Sequence, residues 1–235
     1  MLHRVTRIQG LPVGATDGAV GSIDDLYFDE ARWGVRFLAV DTGGRLAGRK
    51  VLISPRSIRH GEWSDDAVRV DLSRTQIEGS PAPDAAGPVS RDYEMAHAAY
   101  YSHPPYWSGP YLWGPGAYPL VHGGRHPPHD AEARALELAA AEAQRAAAPA
   151  PPLRSSAALI GCGVEARDGA VGHVDDLLVD DETWGIPYFV VDKRAWLPGG
   201  QVLVLPDAVH DIDWVSGIVR LTMTRAAVHE CPPYH

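Results

Sequence analysis

Cysteine, methionine and phenylalanine are scarce in this chain: two, three and three among 235 residues. With Cys162 and Cys231 alone, neither a disulfide framework nor a Cys-x-x-Cys motif can be written. That excludes a cystine-stapled scaffold and fits a reducing compartment, although the two thiols could approach each other in a closed barrel. No stretch approaches the roughly 20 apolar residues of a membrane-crossing helix. The N-terminus, Met1-Leu2-His3-Arg4-Val5-Thr6, lacks the apolar run of a secretory signal. Positive charge is in deficit: 21 Lys and Arg against 30 Asp and Glu give a net charge of −9. This disfavours a nucleic-acid partner held by phosphate neutralisation. It suits solubility or a basic partner. Also missing is a serine or cysteine with a nearby base, so no nucleophilic site is expected.

What the chain does have is a repeat. Val20-Gly21-Ser22-Ile23-Asp24-Asp25-Leu26 returns as Val171-Gly172-His173-Val174-Asp175-Asp176-Leu177. The match runs on through Trp33-Gly34 and Trp184-Gly185, Asp41 and Asp192, Val51-Leu52 and Val202-Leu203, Trp63 and Trp214. Asp17 to Asp168 and Pro81 to Pro232 are both 151 apart. Roughly a third of about 70 aligned positions are identical, far beyond chance. The organisation expected is therefore one copy at 1–80, an unrelated linker at 81–151 and a second copy at 152–235. Copies this small gain by packing on each other or on a partner.

Each copy reads as short strands bounded by Gly, Pro and Asp: Ala19–Asp29, Val35–Asp41, Lys50–Ser54, Ser57–His60 and Ala67–Leu72, with counterparts in copy two. A closed barrel, which leaves no open edge, is the architecture expected. The first strand changes phase: Ile23 is apolar on one parity, Leu26 and Phe28 on the other, and Val174, Leu177 and Val179 do the same. One inserted residue, a β-bulge, would keep both sets inward. It would fall at Asp24-Asp25 and Asp175-Asp176, whose carboxylates could bond backbone N–H groups that the bulge leaves unpaired. Adjacent strand residues face opposite ways, so these pairs should not share one metal ion. Trp33 and Trp184, recurring with Gly21, Gly172, Asp41 and Asp192, point to packing or turn geometry.

These residues resemble the PRC-barrel family. The resemblance is carried by Gly-x-Ile-Asp-Asp-Leu-x-Phe-Asp from Gly21, by Trp-Gly-Val-Arg-Phe-Leu-Ala-Val-Asp-Thr-Gly-Gly from Trp33, and by Lys-Val-Leu-Ile-Ser-Pro from Lys50. Copy two matches through Val191-Asp192-Lys193 and Val202-Leu203-Val204-Leu205-Pro206. The resemblance implies a mainly β fold: two small PRC-type β-barrels joined by the insert. That fold is shared by the cytoplasmic part of the photosynthetic reaction-centre H subunit, by a domain of a ribosome maturation factor, and by free-standing bacterial proteins. It implies binding and assembly, not catalysis.

The insert changes character. Residues 81–88 form a Pro/Gly linker, and Val89–Tyr101 reads as a short helix with Ser90 as N-cap. Ser102–Gly124 is too rich in Pro and Gly for regular structure, yet dense in aromatics. It reads as an irregular strap over the barrels, or as an adhesive patch. Tyr106, Trp107, Tyr111, Trp113 and, in copy two, Trp196 are the candidate partner contacts. His97, His103, His122, His126 and His129 are expected in loops without a metal. Asp130–Ala148 is expected to be a solvated Ala-rich helix, its core at 130–148.

The function expected is a non-enzymatic binding or scaffold protein with a protein partner and no cofactor. The alternative is an H-subunit-like accessory subunit docked on the cytoplasmic face of a photosynthetic or other membrane electron-transfer complex. Either places the chain in the cytoplasm, at most peripheral to the inner membrane.

Overall fold

The computed structural model describes residues 1–43, 50–64, 66–83, 88–119, 151–193 and 200–234. The first half forms β1 (Leu2–Arg4), α1 (Val5–Ile8), β2 (Pro12–Ala15), β3 (Gly18–Asp29), β4 (Gly34–Asp41), β5 (Lys50–Ile53), β6 (Ile58–Ser64), β7 (Ala67–Val70) and α2 (Arg74–Glu78). Next comes α3 (Arg91–Tyr101), capped by the Ser90 hydroxyl, which accepts from the Tyr93 N–H at 3.2 Å. The second half opens with β8 (Arg154–Ser155), α4 (Ser156–Leu159), β9 (Gly163–Ala166) and β10 (Gly169–Asp180). It continues with β11 (Tyr188–Asp192), β12 (Gln201–Val204), β13 (Val209–Asp213), β14 (Ile218–Leu221), α5 (Arg225–His229) and β15 (Pro233–Tyr234).

The fold is mainly β, as expected, and the two halves build the same sheet. The first runs β5-β4-β3-β2-β7-β6 and the second β12-β11-β10-β9-β14-β13, with β15 added beside β12. In each, one pair is parallel: β2 with β7 and β9 with β14. The expected closed barrels are not completed by hydrogen bonds among the described residues: no ladder joins β5 to β6, or β12 to β13. The chain crosses those gaps in 3₁₀ turns at Pro55–Ser57 and Pro206–Ala208. Proline opens each turn, where its missing N–H costs nothing. The Ala-rich helix expected at 130–148 lies outside the described residues.

The phase change in the long strands is a bulge. The β3–β4 register shifts between Ile23 and Asp25, and the β10–β11 register between Val174 and Asp176. Asp25 Oδ1 accepts the Leu26 N–H and Asp176 Oδ1 the Leu177 N–H, both at 2.8 Å. Just before each bulge the neighbouring strand closes in. A Cβ on Gly21 would sit 1.9 Å from the Asp41 carbonyl oxygen, and one on Gly172 1.8 Å from that of Asp192.

The halves exchange their first strands. β1 pairs with β10, Arg4 opposite Leu178, and β8 pairs with β3, Ser155 opposite Tyr27. The exchange is possible because β9 covers β10 only from Gly169 to His173, leaving the edge beyond the bulge open. A second contact joins the halves at Trp33-Gly34 and Trp184-Gly185, which bridge antiparallel. The Val35 N–H donates to the Trp184 carbonyl at 2.8 Å, and the Ile186 N–H to the Trp33 carbonyl at 2.7 Å. Both tryptophans take left-handed backbone (φ 52° and 59°), which costs on the order of 1–3 kcal/mol each. Packing offsets that: Trp33 stacks on Phe28 and meets Phe189 of the other half edge-on. One hydrophobic core thus runs through both halves, from Val5, Leu26 and Phe28 to Val171, Leu177 and Phe189.

Two outcomes follow, one from the close approach at Gly172 and one from the interlock. Gly172→Ala should lower stability by about 2–4 kcal/mol in a urea titration, because the new methyl meets backbone that cannot rotate away. Residues 151–235 produced alone should elute as a dimer by size-exclusion chromatography with light scattering. Each copy would supply its β8–α4 segment to the open β10 edge of the other.

Candidate partner-binding strap and the buried charges beneath it

The repeated aspartates separate as adjacent strand residues should. Asp24 faces outward and accepts from Lys50 Nζ. Asp25 turns toward the other half, where it accepts from the Ser155 and Ser156 hydroxyls and from the Ala157 N–H at 3.1 Å. In the second half Asp176 is fully buried and accepts from Arg4 Nε at 2.7 Å, the Thr6 hydroxyl and the Thr6 N–H. Asp175 Oδ2 accepts from Gln201 Nε2 at 2.7 Å and from Arg4 Nη2. Asp41 Oδ1 caps the Gly43 N–H at 2.9 Å, and Asp192 is buried at the end of β11. Asp25 and Asp176, and Trp33 and Trp184, are thus used in holding the halves together, while Gly21 and Gly172 let β4 and β11 approach within their own halves.

The aromatic segment is an ordered strap. Tyr106–Ser108 forms a 3₁₀ turn, and Tyr111 and Gly114 close a tight bridge. An irregular segment has no ladder to satisfy its carbonyls, and three arginines of the first half take that role. Arg32 donates to the carbonyls of Tyr106 (3.1 Å), Gly109 (2.8 Å) and Tyr111. Arg36 Nη1 donates to Leu112 O at 2.7 Å, and Arg56 Nη2 to Trp113 O at 2.8 Å. Arg36 is the extra residue of a second bulge, between Phe28↔Val35 and Tyr27↔Phe37. It is 1 % exposed and paired with Asp29 through Nε at 2.6 Å. Its guanidinium lies 3.7 Å from the Tyr106 ring centre. The strap also spans both halves. Trp113 Nε1 donates to Thr183 O at 2.6 Å. Leu112 caps the seam, within 2.8 Å of a Cβ built on Gly34 and 3.4 Å of one on Gly185.

Burial therefore removes two expected partner contacts from the surface: Tyr106 (9 % exposed) and Trp113 (2 %) are core residues, because stacking on buried arginines draws their rings inward. Trp107 is half-buried under Arg91, whose guanidinium carbon lies 3.9 Å from the ring centre. Tyr111 is 57 % exposed and remains available, as does Tyr118 at 47 %. Trp196 lies outside the described residues, as do His122, His126 and His129. The signal that sequence reading passed over is asymmetry between the copies. Arg32, Arg36 and Arg56 correspond to Thr183, Pro187 and Asp207, so the strap-binding arginines belong to copy one alone.

Beneath the strap, Arg36, Arg56, Glu94, His97, His103 and Trp113 line a cavity of about 30 Å³. That is room for a water or two. Glu94 is 2 % exposed, and Arg91 Nη1 lies 3.2 Å from its Oε1. Burial raises its pKa from 4.5 to about 7, against the lowering pull of Arg91. Burial lowers His97 from 6.5 to about 4, against a hydrogen bond to Leu52 O. It lowers His103 to about 3, helped by His97 and Arg56. Arg56 falls to about 10 through burial and the nearby Arg36 charge.

The two kinds of group act oppositely on stability. Folded Glu94 holds its proton more tightly than unfolded Glu94, so its contribution is complete below pH 4.5 and is lost as pH rises to about 7. The histidines stay neutral when folded, so their contribution is present above 6.5 and lost as pH falls toward 4. Together they place maximum stability near pH 6.5. Glu94→Gln removes the first effect. By urea denaturation the variant should match wild type near pH 4.5 and exceed it at pH 8 by up to about 3 kcal/mol.

The family model of the PRC-barrel domain matches residues 2–76. No curated protein matches the chain. A PRC-barrel domain therefore occupies the first half, on the strands that carry the strap.

Proposed function

We propose that this chain is a non-enzymatic binding and assembly protein, with two PRC-type halves interlocked as one platform for a protein partner. The observation that carries the reading is where the repeated polar and aromatic residues go. Asp25, Asp176, Trp33 and Trp184 bind the opposite half, and the strap aromatics are held by arginines. Side chains used in this way serve construction and not turnover. The PRC-barrel match supports binding or assembly. The repeated sheet order supports extending the PRC-type description to the second half. The partner would meet the exposed strap edge at Tyr111 and Tyr118.

The second reading, an H-subunit-like role, makes that partner a membrane electron-transfer complex met from the cytoplasm. No helix among the described residues is long and apolar enough to cross a membrane, so such docking would be peripheral. Both cysteines are free thiols, in keeping with a reducing compartment.

The test is affinity capture of the tagged full chain from native extract, with soluble and membrane fractions read separately by mass spectrometry. A specific partner whose recovery falls severalfold with Tyr111→Ala/Tyr118→Ala, at unchanged circular dichroism, is the expected result. Enrichment of membrane-complex subunits would select the second reading. Conversion of a metabolite by the purified chain, with no partner enriched, would overturn both.

A further inference from the structure

The two halves differ at one row of side chains. In the first half Ser22, Asp41 and Lys50 are directly opposed across β3, β4 and β5. Their counterparts His173, Asp192 and Gln201 are opposed across β10, β11 and β12. Opposed residues of an antiparallel ladder share a face. In the first half the acidic row carries its own cation, since Lys50 Nζ bonds Asp24 Oδ2. In the second half that ammonium is replaced by the neutral Gln201, Asp175 pairs instead with Arg4 of β1, and Ser22 gives way to the imidazole of His173.

The replacement leaves a ligand set. One donor atom each from His173, Asp175 and Asp192 lies within 4.8 Å of the others. The aspartates come from different strands, so this convergence does not need the adjacent pair Asp175-Asp176 that sequence reading set aside. Asp192 is 2 % exposed and Asp175 half-buried, while His173 opens the site to solvent. Gln201 and Arg4 both bond Asp175 through Oδ2; among the described residues its Oδ1 accepts no hydrogen bond. Lys193, next along the chain, sends its ammonium to His229 Nδ1 at 2.9 Å.

We propose that His173, Asp175 and Asp192 form a divalent-cation site in the second half, where the first half uses the Lys50 ammonium. One imidazole and two carboxylates suit Zn²⁺ or Mn²⁺ among first-row ions. Three protein ligands leave at least one position for water on the exposed His173 side. The site does not depend on the scaffold reading above.

The test is calorimetric titration of the untagged full chain with ZnCl₂ and, separately, MnCl₂ at pH 7.5. Two variants convert the site toward its first-half counterpart: His173→Ser and Gln201→Lys. His122→Ala/His126→Ala/His129→Ala removes three of the five histidines of the insert, the other two, His97 and His103, lining the cavity beneath the strap. Circular dichroism checks the fold of each. One equivalent should bind to wild type and to the triple variant. His173→Ser should weaken it about tenfold or more, and Gln201→Lys should abolish it by placing an ammonium in the row. The proposal is overturned if no ion binds wild type, if both site variants bind as wild type does, or if binding is lost only in the triple variant.

Discussion

A carboxylate buried at a bulge is stable only when its oxygens are filled, and Asp25 and Asp176 fill theirs from the opposite half of the chain. Each accepts the N–H of the residue that follows it and then the first helical turn of the other copy. The consequence reaches well beyond two side chains. β1 cannot lie along β10, nor β8 along β3, unless these turns are seated. Without those strands the edges beyond the bulges stay open and Val5 and Leu159 leave the shared core. The repeat is thus a folding dependence: neither half closes its core alone. The Trp-Gly turns repeat the logic in backbone, each giving one N–H and taking one.

The insert is held by a different device. A Pro- and Gly-rich segment cannot join a sheet, so its carbonyls need donors that are not backbone. Arg32, Arg36 and Arg56 supply them, while the Tyr106 and Trp113 rings cover the guanidinium faces. Buried guanidinium groups are costly unless paired. Arg36 has Asp29, and Arg56 donates to the Trp113 carbonyl. Below them, burial keeps Glu94 protonated up to about pH 7, against the lowering pull of Arg91. α3 carries Glu94 and His97 on one side and covers Phe37 and Leu52 in a satellite core. Strap, helix and outer sheet face therefore stand or fall together.

Much of the architecture was legible because it is periodic. The bulges follow from the parity of Ile23, Leu26 and Phe28, and the Ser90 cap from a serine preceding a helical run. The strand exchange was not legible. β1 and β8 span three and two residues, too short for alternation to register, and a repeat cannot say which copy a strand joins. The strap was recognised by composition, yet the fate of its rings was not. Tyr106 and Trp113 look like exposed anchors until Arg36 and Arg56 are seen to sit under them. Likewise, Asp175 and Asp192 are far apart in sequence and meet only through the β10–β11 register.

Positions where the copies agree and positions where they differ have different physical content. Agreement at Gly21 and Gly172 is enforced by carbonyl oxygens under 2 Å from any added Cβ. Agreement at Asp25 and Asp176 is enforced by the exchange. Other positions differ between the copies, and some of these bear on the insert and on the acidic row. In copy one the differing residues are arginines that seat the strap, along with a lysine that neutralises its own acidic row. In copy two the same positions hold Thr183, Pro187, Asp207 and Gln201; none is a cation, and the Thr183 carbonyl accepts from the strap's Trp113. A fold-level resemblance describes the agreeing set and so cannot distinguish one half's role from the other's. The differing set can where a residue is tied to a feature of its own half, as Arg32, Arg36 and Arg56 are tied to the strap.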